Sequence, residues 1–235
     1  MIKDTYVYLI INFFTILYPI AQSFEHRLKY YTKWKYLFPA IFITGVFFII
    51  WDVLKTYYGV WQFNPKYLVG LYIFNLPIEE WLFFLTVPYA CVFIYEVLIY
   101  YVKKDNLGKI APIIFNIIAV INIVVAIIFF DRAYTFVVML FNGLFILFHT
   151  LYLKPEWMGR FLLAYLVSLI PFFGVNGLLT YMPVVIYNDL ENLGIRLWTI
   201  PIEDTMYSML LFMMTVSIYE FLRNRKSKNI TLPFN

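Results

Sequence analysis

Seven apolar runs, each about long enough to cross a bilayer, leave this chain little room for a soluble domain. A helix needs about 20 mainly apolar residues to span the hydrocarbon core. Hydrophobic residues make up 63% of the chain and charged residues only 14%, so the sequence predicts an all-α integral membrane protein. The predicted transmembrane helices lie at roughly 5–23, 36–54, 78–101, 110–130, 133–153, 160–179 and 204–222.

A short motif with two acids occurs twice. Pro77-Ile78-Glu79-Glu80 recurs as Pro201-Ile202-Glu203-Asp204, 124 residues later. The same offset, without a gap, relates further residues: Thr56-Tyr57 and Thr180-Tyr181, Gly70 and Gly194, Ile94-Tyr95-Glu96 and Ile218-Tyr219-Glu220. Helices 1–3 are therefore expected to correspond to helices 5–7. The fourth helix connects the halves and restores their direction, which predicts two parallel three-helix repeats related by an axis along the membrane normal.

The domain boundaries and the orientation follow from this count. Residues 1–109 form the first repeat, 110–132 the connecting helix, and 133–235 the second repeat with a basic tail. Thirteen Lys and Arg residues fall on the side of the tail, and five on the other: Lys3, Lys55, Lys66, Arg132 and Arg196. Because cytoplasmic loops carry the excess of Lys and Arg, we expect a multi-pass protein of the cell (inner) membrane. Its N-terminus would lie outside and its C-terminus in the cytoplasm.

The paired acids, Glu79 with Glu80 and Glu203 with Asp204, are the first candidates for chemistry. Acids after a proline can simply begin a helix and favour its positive end. However, one acid suffices for that, and no Lys or Arg follows within the next turn. Two carboxyl groups in a poorly hydrated place cannot easily both ionise, so one can donate a proton and the other accept one. Successive helical residues point about 100° apart, and the sequence leaves open which acid of each pair faces inward.

Aromatic and polar residues lie at the same end of the predicted bundle. They are Trp51, Asp52, Trp61, Phe63 and Asn64. Asp52 could be a fifth carboxylate of the site, although its repeat partner is Asn176. The tryptophans are typical of an interfacial aromatic belt, but their π faces could also stabilise a cationic intermediate. At the opposite end, Glu96 and Glu220 are expected to be interfacial charges or members of ion pairs, next to Lys103 and Arg223.

Several motifs that would indicate other classes of protein are absent from the sequence. The chain has no Gly-rich nucleotide motif and no Cys or His cluster with metal-ligand spacing, so no cofactor and no metal are expected. The sequence has no Asp-x-x-x-Asp pattern, which argues against a magnesium-diphosphate prenyltransferase. The seventh predicted helix has no lysine, which argues against a retinal Schiff base. Because the basic residues lie between apolar spans, no nucleic-acid partner is expected.

At these residues the chain resembles the membrane-integral lycopene cyclase domain family, the heterodimeric-type carotenoid cyclases. In that family a three-helix half carries a Pro-x-Glu-Glu or Pro-x-Glu-Asp motif. The first motif copy, with Trp51-Asp52 and 61–64, is similar to one half. The second copy is similar to the other half but lacks the Trp-Asp and Trp-x-Phe residues. The resemblance covers essentially the whole chain, as a fused form.

The resemblance implies a lycopene β-cyclase type isomerase, or intramolecular lyase, of carotenoid biosynthesis. A carboxylic acid would protonate the linear ψ-end, a carbocation would close the ring, and a carboxylate would remove a proton, without net redox change. Glu79 and Glu203 would be the principal acid–base residues, with Glu80 and Asp204 adjusting their proton affinity. The implied partners are a linear carotenoid, the bilayer and, as an option, other carotenoid enzymes.

Two other functions compete with this one. Paired intramembrane acids in parallel repeats also suit a proton-coupled transporter. A subunit that only scaffolds other carotenoid enzymes is the third reading, and the acid pairs kept in both halves argue against it.

Overall fold

The computed structural model describes residues 4–230, with side chains up to Arg225. Lys3, counted above in the charge bias, lies outside the described residues, as do the side chains of Lys226 and Lys228. Within the described range, all seven predicted spans are helices long and apolar enough to cross a membrane. They are α1 (Val7–Gln22), α2 (Trp34–Tyr57), α3 (Ile78–Tyr101), α4 (Ala111–Ile128), α5 (Ala133–Leu147), α6 (Met158–Tyr181) and α7 (Glu203–Ile230). A π-helical segment, Phe148–Leu153, extends α5.

Apolar side chains cover the outside of the bundle, and most of the buried polar groups gather between the helices. Phe14, Phe42 and Ile117 are more than half exposed. Asn12, Asp52 and many other polar side chains are buried instead. This distribution suits a lipid environment, because polar groups in hydrocarbon need partners inside the protein.

Six short strands, which the sequence analysis did not predict, lie at the end of the bundle where α3 and α7 begin. We call this the acidic end. The strands are β1 (Trp61–Phe63), β2 (Tyr72–Ile73), β3 (Leu76–Pro77), β4 (Val185–Tyr187), β5 (Arg196–Leu197) and β6 (Ile200–Pro201). The hairpins β2–β3 and β5–β6 lead directly into α3 and α7. Residues with a positive φ in and just before these hairpins also repeat at the offset of 124. They are Gly70 and Gly194, and Phe74 and Trp198.

The third strand pair joins the two halves. β1 and β4 are antiparallel, with Gln62 opposite Ile186 at the centre. The amide of Asn64 donates to the carbonyl of Val184, and the amide of Asn188 donates to the carbonyl of Val60, both at 2.9 Å. Because 60 and 184, and 64 and 188, differ by 124, each half makes the same contact to the other. The predicted two-fold repeat is therefore present in the backbone.

The same exchange occurs at the other end of α3 and α7, which we call the basic end. Tyr95 donates to Glu220, and Tyr219 donates to Glu96, both at 2.7 Å. Arg223 bridges the two acids, at 2.9 Å from Glu96 and 2.7 Å from Glu220. The predicted ion pairs are confirmed with Arg223. Lys33, rather than the predicted Lys103, is the second cation at Glu96, and Lys103 lies over the Tyr100 ring.

The connecting helix α4 packs closely against α5. Gly143 permits this approach, because a Cβ atom there would lie 3.0 Å from the carbonyl oxygen of Ala119. The six remaining helices then surround the space between the two acidic motifs, with both motifs at the same end of the bundle.

Candidate active site

A cavity of about 70 Å³ lies between the two halves at the acidic end. Glu80 from α3 and Asp204 from α7 both line it, together with Asp52 from α2. Aromatic rings form much of the remaining wall: Tyr8, Trp61, Phe63, Phe83, Tyr134, Phe172, Tyr187 and Tyr207. The repeat thus brings one acid from each motif to a shared, mainly aromatic cavity.

On the side of the first half, two carboxyl groups face each other. Tyr8 donates to Glu80 Oε2 at 2.5 Å, and Tyr207 donates to Asp52 Oδ1 at 2.9 Å. The Glu80 and Asp52 carboxyl groups interact directly with each other. Two adjacent buried carboxyl groups are stable when they share one proton between them. A pair of this kind can hold one proton and give it away, so this side of the cavity suits an acid.

On the side of the second half, Asp204 is surrounded by donors. Tyr187 and the Asn176 amide each donate to Oδ2 at 2.7 Å, and Tyr134 donates to Oδ1. Burial, and then the nearby Asp204 carboxylate, raises the pKa of Tyr187 well above its usual range, so this phenol remains a donor. An ionised carboxylate accepts all three bonds, whereas a protonated one would add an O–H donor among groups that are themselves donating. This side therefore suits a base.

Lys55 lies inside the bundle, although the predicted helix boundaries place it in a loop. It was counted among the loop cations, but it lies in the last turn of α2 and is only 5% exposed. Its Nζ atom lies over four aromatic rings, at 3.9 Å from the Trp51 centroid, 4.3 Å from Tyr207, 4.5 Å from Trp61 and 4.8 Å from Tyr134. Nζ has no hydrogen-bond partner within residues 4–225. A positive charge at this place would be stabilised by the ring faces and the nearby carboxyl groups.

The other acid of each pair is turned away from the cavity. Glu79 Oε1 accepts the backbone amide of Val69, and Glu203 Oε1 accepts that of Leu193, both at 2.7 Å. Thr135 also donates to Glu203. Both acids are fully buried. Each tethers the chain segment ten residues before it, so the structure gives the two matched acids the same structural contact.

The nine predicted site residues divide into three groups. Five line the cavity: Asp52, Trp61, Phe63, Glu80 and Asp204. Trp51 lies beside it, over Lys55, and Glu79 and Glu203 lie behind it. Asn64 is not brought to the cavity, because its side chain accepts the backbone amide of Lys66 in the turn after β1.

The tyrosines around the carboxyl groups were missed. Tyr8 and Tyr134 occupy equivalent places near the starts of α1 and α5, but they differ by 126 residues, outside the gapless offset of 124. Tyr187 and Tyr207 have phenylalanines, Phe63 and Phe83, at their repeat partners. A search for polar residues that break the repeat would have found the last two.

The fold and the site define a multi-pass membrane protein in which two related three-helix halves enclose a carboxyl cluster and aromatic rings. The lycopene cyclase family model matches residues 5–98 and 131–222, one copy of the acidic motif in each range. The chain therefore belongs to the lycopene cyclase family. No curated protein and no solved structure matches the chain.

Membership of this family places the protein in carotenoid biosynthesis, as an enzyme that cyclises a carotenoid in a lipid environment. It does not favour the proton-coupled transporter that the paired acids alone left open.

Proposed function

We propose that the protein converts the linear ψ-ends of lycopene to β-ionone rings without net redox change. The observation that carries this proposal is the unequal pair of carboxyl sites across one aromatic cavity, in a chain of the lycopene cyclase family. Cyclisation needs a proton at one carbon and removes a proton from another. A site with a proton-sharing pair on one side and a donor-surrounded carboxylate on the other supplies both.

The Glu80–Asp52 pair is the proposed acid. Its shared proton goes to C2 of the ψ-end and leaves a carbocation at C1. The neighbouring double bond attacks C1 with its π electrons, which closes the ring and moves the cation to C5. The pair keeps the negative charge that the proton leaves behind, and the Tyr8 and Tyr207 hydroxyl groups stabilise it.

Asp204 is the proposed base. It removes the proton from C6, and the electrons of that C–H bond form the ring double bond. One proton is taken up and one is released, so the reaction is an isomerisation. The rings of Phe63, Phe83 and Phe172, which line the cavity and are not among the four rings against Lys55, stabilise the cation between the two proton transfers.

Lys55 is proposed to set the number of protons in the cluster. Three carboxyl groups, Asp52, Glu80 and Asp204, lie around its ammonium. One positive charge favours an arrangement in which at least one carboxylate stays ionised before substrate arrives. Lys55 thus keeps an ionised base available in the cluster.

The role of Glu79 and Glu203 changes accordingly. The resemblance makes them the principal acid–base residues, whereas their bonds to Val69 and Leu193 support a positioning role. By holding the segments that precede α3 and α7, they fix where Glu80 and Asp204 emerge. The two assignments predict different orders of severity for the four single variants.

Pigment analysis by HPLC tests the proposal in a bacterial host that accumulates lycopene. The wild-type chain should produce a ring-containing carotene, and Glu80→Gln and Asp204→Asn should lower conversion about 100-fold or more. Glu79→Gln and Glu203→Gln, which keep a carbonyl acceptor for the backbone amide, are the matched controls and should retain measurable activity. Wild-type rates from folded, membrane-inserted Glu80→Gln and Asp204→Asn would contradict the assignment.

For localisation, we propose the cell (inner) membrane, with the N-terminus outside and the C-terminus in the cytoplasm. The support is the Lys and Arg bias, which becomes 13 to 4 once buried Lys55 is removed from the five on the other side. A C-terminal fluorescent-protein fusion should fluoresce, and a C-terminal alkaline phosphatase fusion should be inactive. The reverse result would overturn this orientation.

A further inference from the structure

A long apolar groove opens on the outer surface of the bundle between α1, α3 and α6. It has a volume of about 880 Å³ and follows α1 from Val7 to Pro19, which is about 18 Å along the helix axis. Gly174 forms part of its wall, and a Cβ atom there would meet nothing within 4 Å. The groove therefore has the length and the apolar lining that suit an extended hydrocarbon chain.

The groove and the carboxyl site lie on either side of a smaller inner cavity. Thr15, Ala90 and Val175 line both the groove and a smaller inner cavity. This inner cavity in turn shares Phe83, Val87 and Asn176 with the cavity that holds Glu80 and Asp204. Asn176 is also the side chain that donates to Asp204. Three neighbouring spaces with shared walls thus lie between the lipid-facing surface and the acids.

The equivalent place in the other half is closed by large side chains. At the offset of 124, Val175 corresponds to Trp51, Pro171 to Phe47 and Ala90 to Met214. Trp51 packs against Phe47 at 5.7 Å and against Phe141 at 5.5 Å between ring centroids. The backbone repeat would place a groove on each side, but small residues keep only the first one open and aromatic rings fill the second.

We propose that the polyene chain of the substrate lies in the α1–α3–α6 groove and reaches the carboxyl site from the bilayer through it. This inference rests on the proposed function and adds the path and the binding place of the substrate. A linear carotenoid fits because the groove is apolar along its length, and the acids lie only where one end of the chain arrives. A membrane lipid would also fill an apolar groove, but it has no reactive end to place at the acids.

The matched test fills the groove with the residue that closes the other side. Val175→Trp copies Trp51, and the milder Ala90→Met copies Met214. Ile170→Trp places the same indole on the same helix at a lipid-facing side chain that is 76% exposed, so it controls for the effect of an added tryptophan on insertion. We expect Val175→Trp to lower lycopene conversion about 100-fold, because substrate no longer reaches the reacting geometry. Ala90→Met should lower it less, and Ile170→Trp should remain at the wild-type rate.

A second readout separates the groove from the chemistry. Lycopene retained on purified Glu80→Gln protein is measured by its visible absorbance, with and without Val175→Trp. Loss of retained pigment with Val175→Trp, but not with Ile170→Trp, together with slower conversion by Val175→Trp, supports the groove. If the wild type converts lycopene and folded Val175→Trp and Ala90→Met convert it equally well, the groove is not the path, and the proposed function stands. If the Val175→Trp protein retains as much lycopene as the protein without this change, the proposal is also overturned.

Discussion

The two halves of the molecule share their backbone contacts and differ in their carboxyl sites. Glu79 and Glu203 accept equivalent backbone amides at the same distance. At the cavity, the first half pairs Glu80 with a second acid, Asp52, whereas the second half surrounds Asp204 with an amide and two phenols. A duplicated scaffold therefore carries two acids on one side of its cavity and one acid among donors on the other.

Few positions carry this difference. Asp52 corresponds to Asn176, and Phe63 corresponds to Tyr187. Changing the acid to an amide removes a sharable proton, and changing the phenylalanine to a tyrosine adds a donor. The comparison teaches that the repeat places the two acids at the same end of the bundle, while a few substitutions decide which groups surround each acid.

The largest loss of activity is expected when the carboxyl site of the first half is made like that of the second. Asp52→Asn leaves Glu80 without its carboxyl partner, so no proton is shared between two acids. We expect conversion of lycopene to fall about 100-fold, measured as product per amount of membrane-inserted protein. The reciprocal change, Asn176→Asp, is the matched control for charge at the site and should reduce activity by placing a second acid at the proposed base. Unchanged conversion by Asp52→Asn would remove the distinction between the two sides.

Removing the ammonium should disturb both sides together. Lys55→Met removes the positive charge that favours ionised carboxylates. The ionised form of the proposed base, Asp204, should therefore form only at higher pH. The carboxyl and phenol groups that face Lys55 come from four other places in the fold and from its own helix: Asp52, Glu80, Tyr134, Tyr187, Asp204 and Tyr207. A shift of one unit in the pH–rate profile corresponds to about a tenfold loss on its acidic side.

The pH–rate profile in membranes or detergent checks this prediction, and Lys55→Arg is its matched control because it keeps the positive charge. Lys55→Met should move the acidic limb of the profile upward, and Lys55→Arg should leave it in place. A uniform loss at every pH in both variants would instead indicate that Lys55 only fills space between the rings.

Much of the fold could be predicted from the sequence, because hydrocarbon requires long apolar helices and the repeat has a fixed offset. The predicted and observed third spans coincide at 78–101, and the other helices agree within a few residues except α7, which extends to Ile230. The short strands were not predicted, since segments of two or three residues give no alternating pattern long enough to detect.

The site could be predicted only in part. The motif points to four acids, but the rotation of α3 and α7 decides which of them line the cavity, and in the structure these are Glu80 and Asp204. Lys55 was missed because its four aromatic neighbours come from three separate helices and a strand. Tertiary contacts of this kind carry no local sequence signal.

A smaller effect is expected from making the second half like the first. Tyr187→Phe copies Phe63 and removes one of three donors to Asp204, while the Tyr134 and Asn176 bonds remain. One lost hydrogen bond to a charged group is worth about 1.5–3 kcal/mol, and the remaining donors reduce the effect on rate. We expect roughly a tenfold slower conversion. The reciprocal Phe63→Tyr, which adds a hydroxyl on the other side, is the control, and a Tyr187→Phe rate equal to wild type would show that Asp204 does not depend on this donor.

The smallest effect on activity is expected at the basic end, where the two halves are still alike. Arg223 joins Glu96 and Glu220, and Tyr95 and Tyr219 donate to these acids across the repeat axis. Arg223→Met leaves the fully buried Glu96 with one cation fewer. Because the arginine side chain is about one-third exposed, we expect a loss near the lower limit for breaking a buried pair, about 3 kcal/mol. Thermal unfolding in detergent should show the lower stability, and conversion per folded molecule should equal that of wild type, with the exposed Arg225→Met as control. A loss of conversion without a loss of stability would mean that the symmetric end also takes part in the reaction.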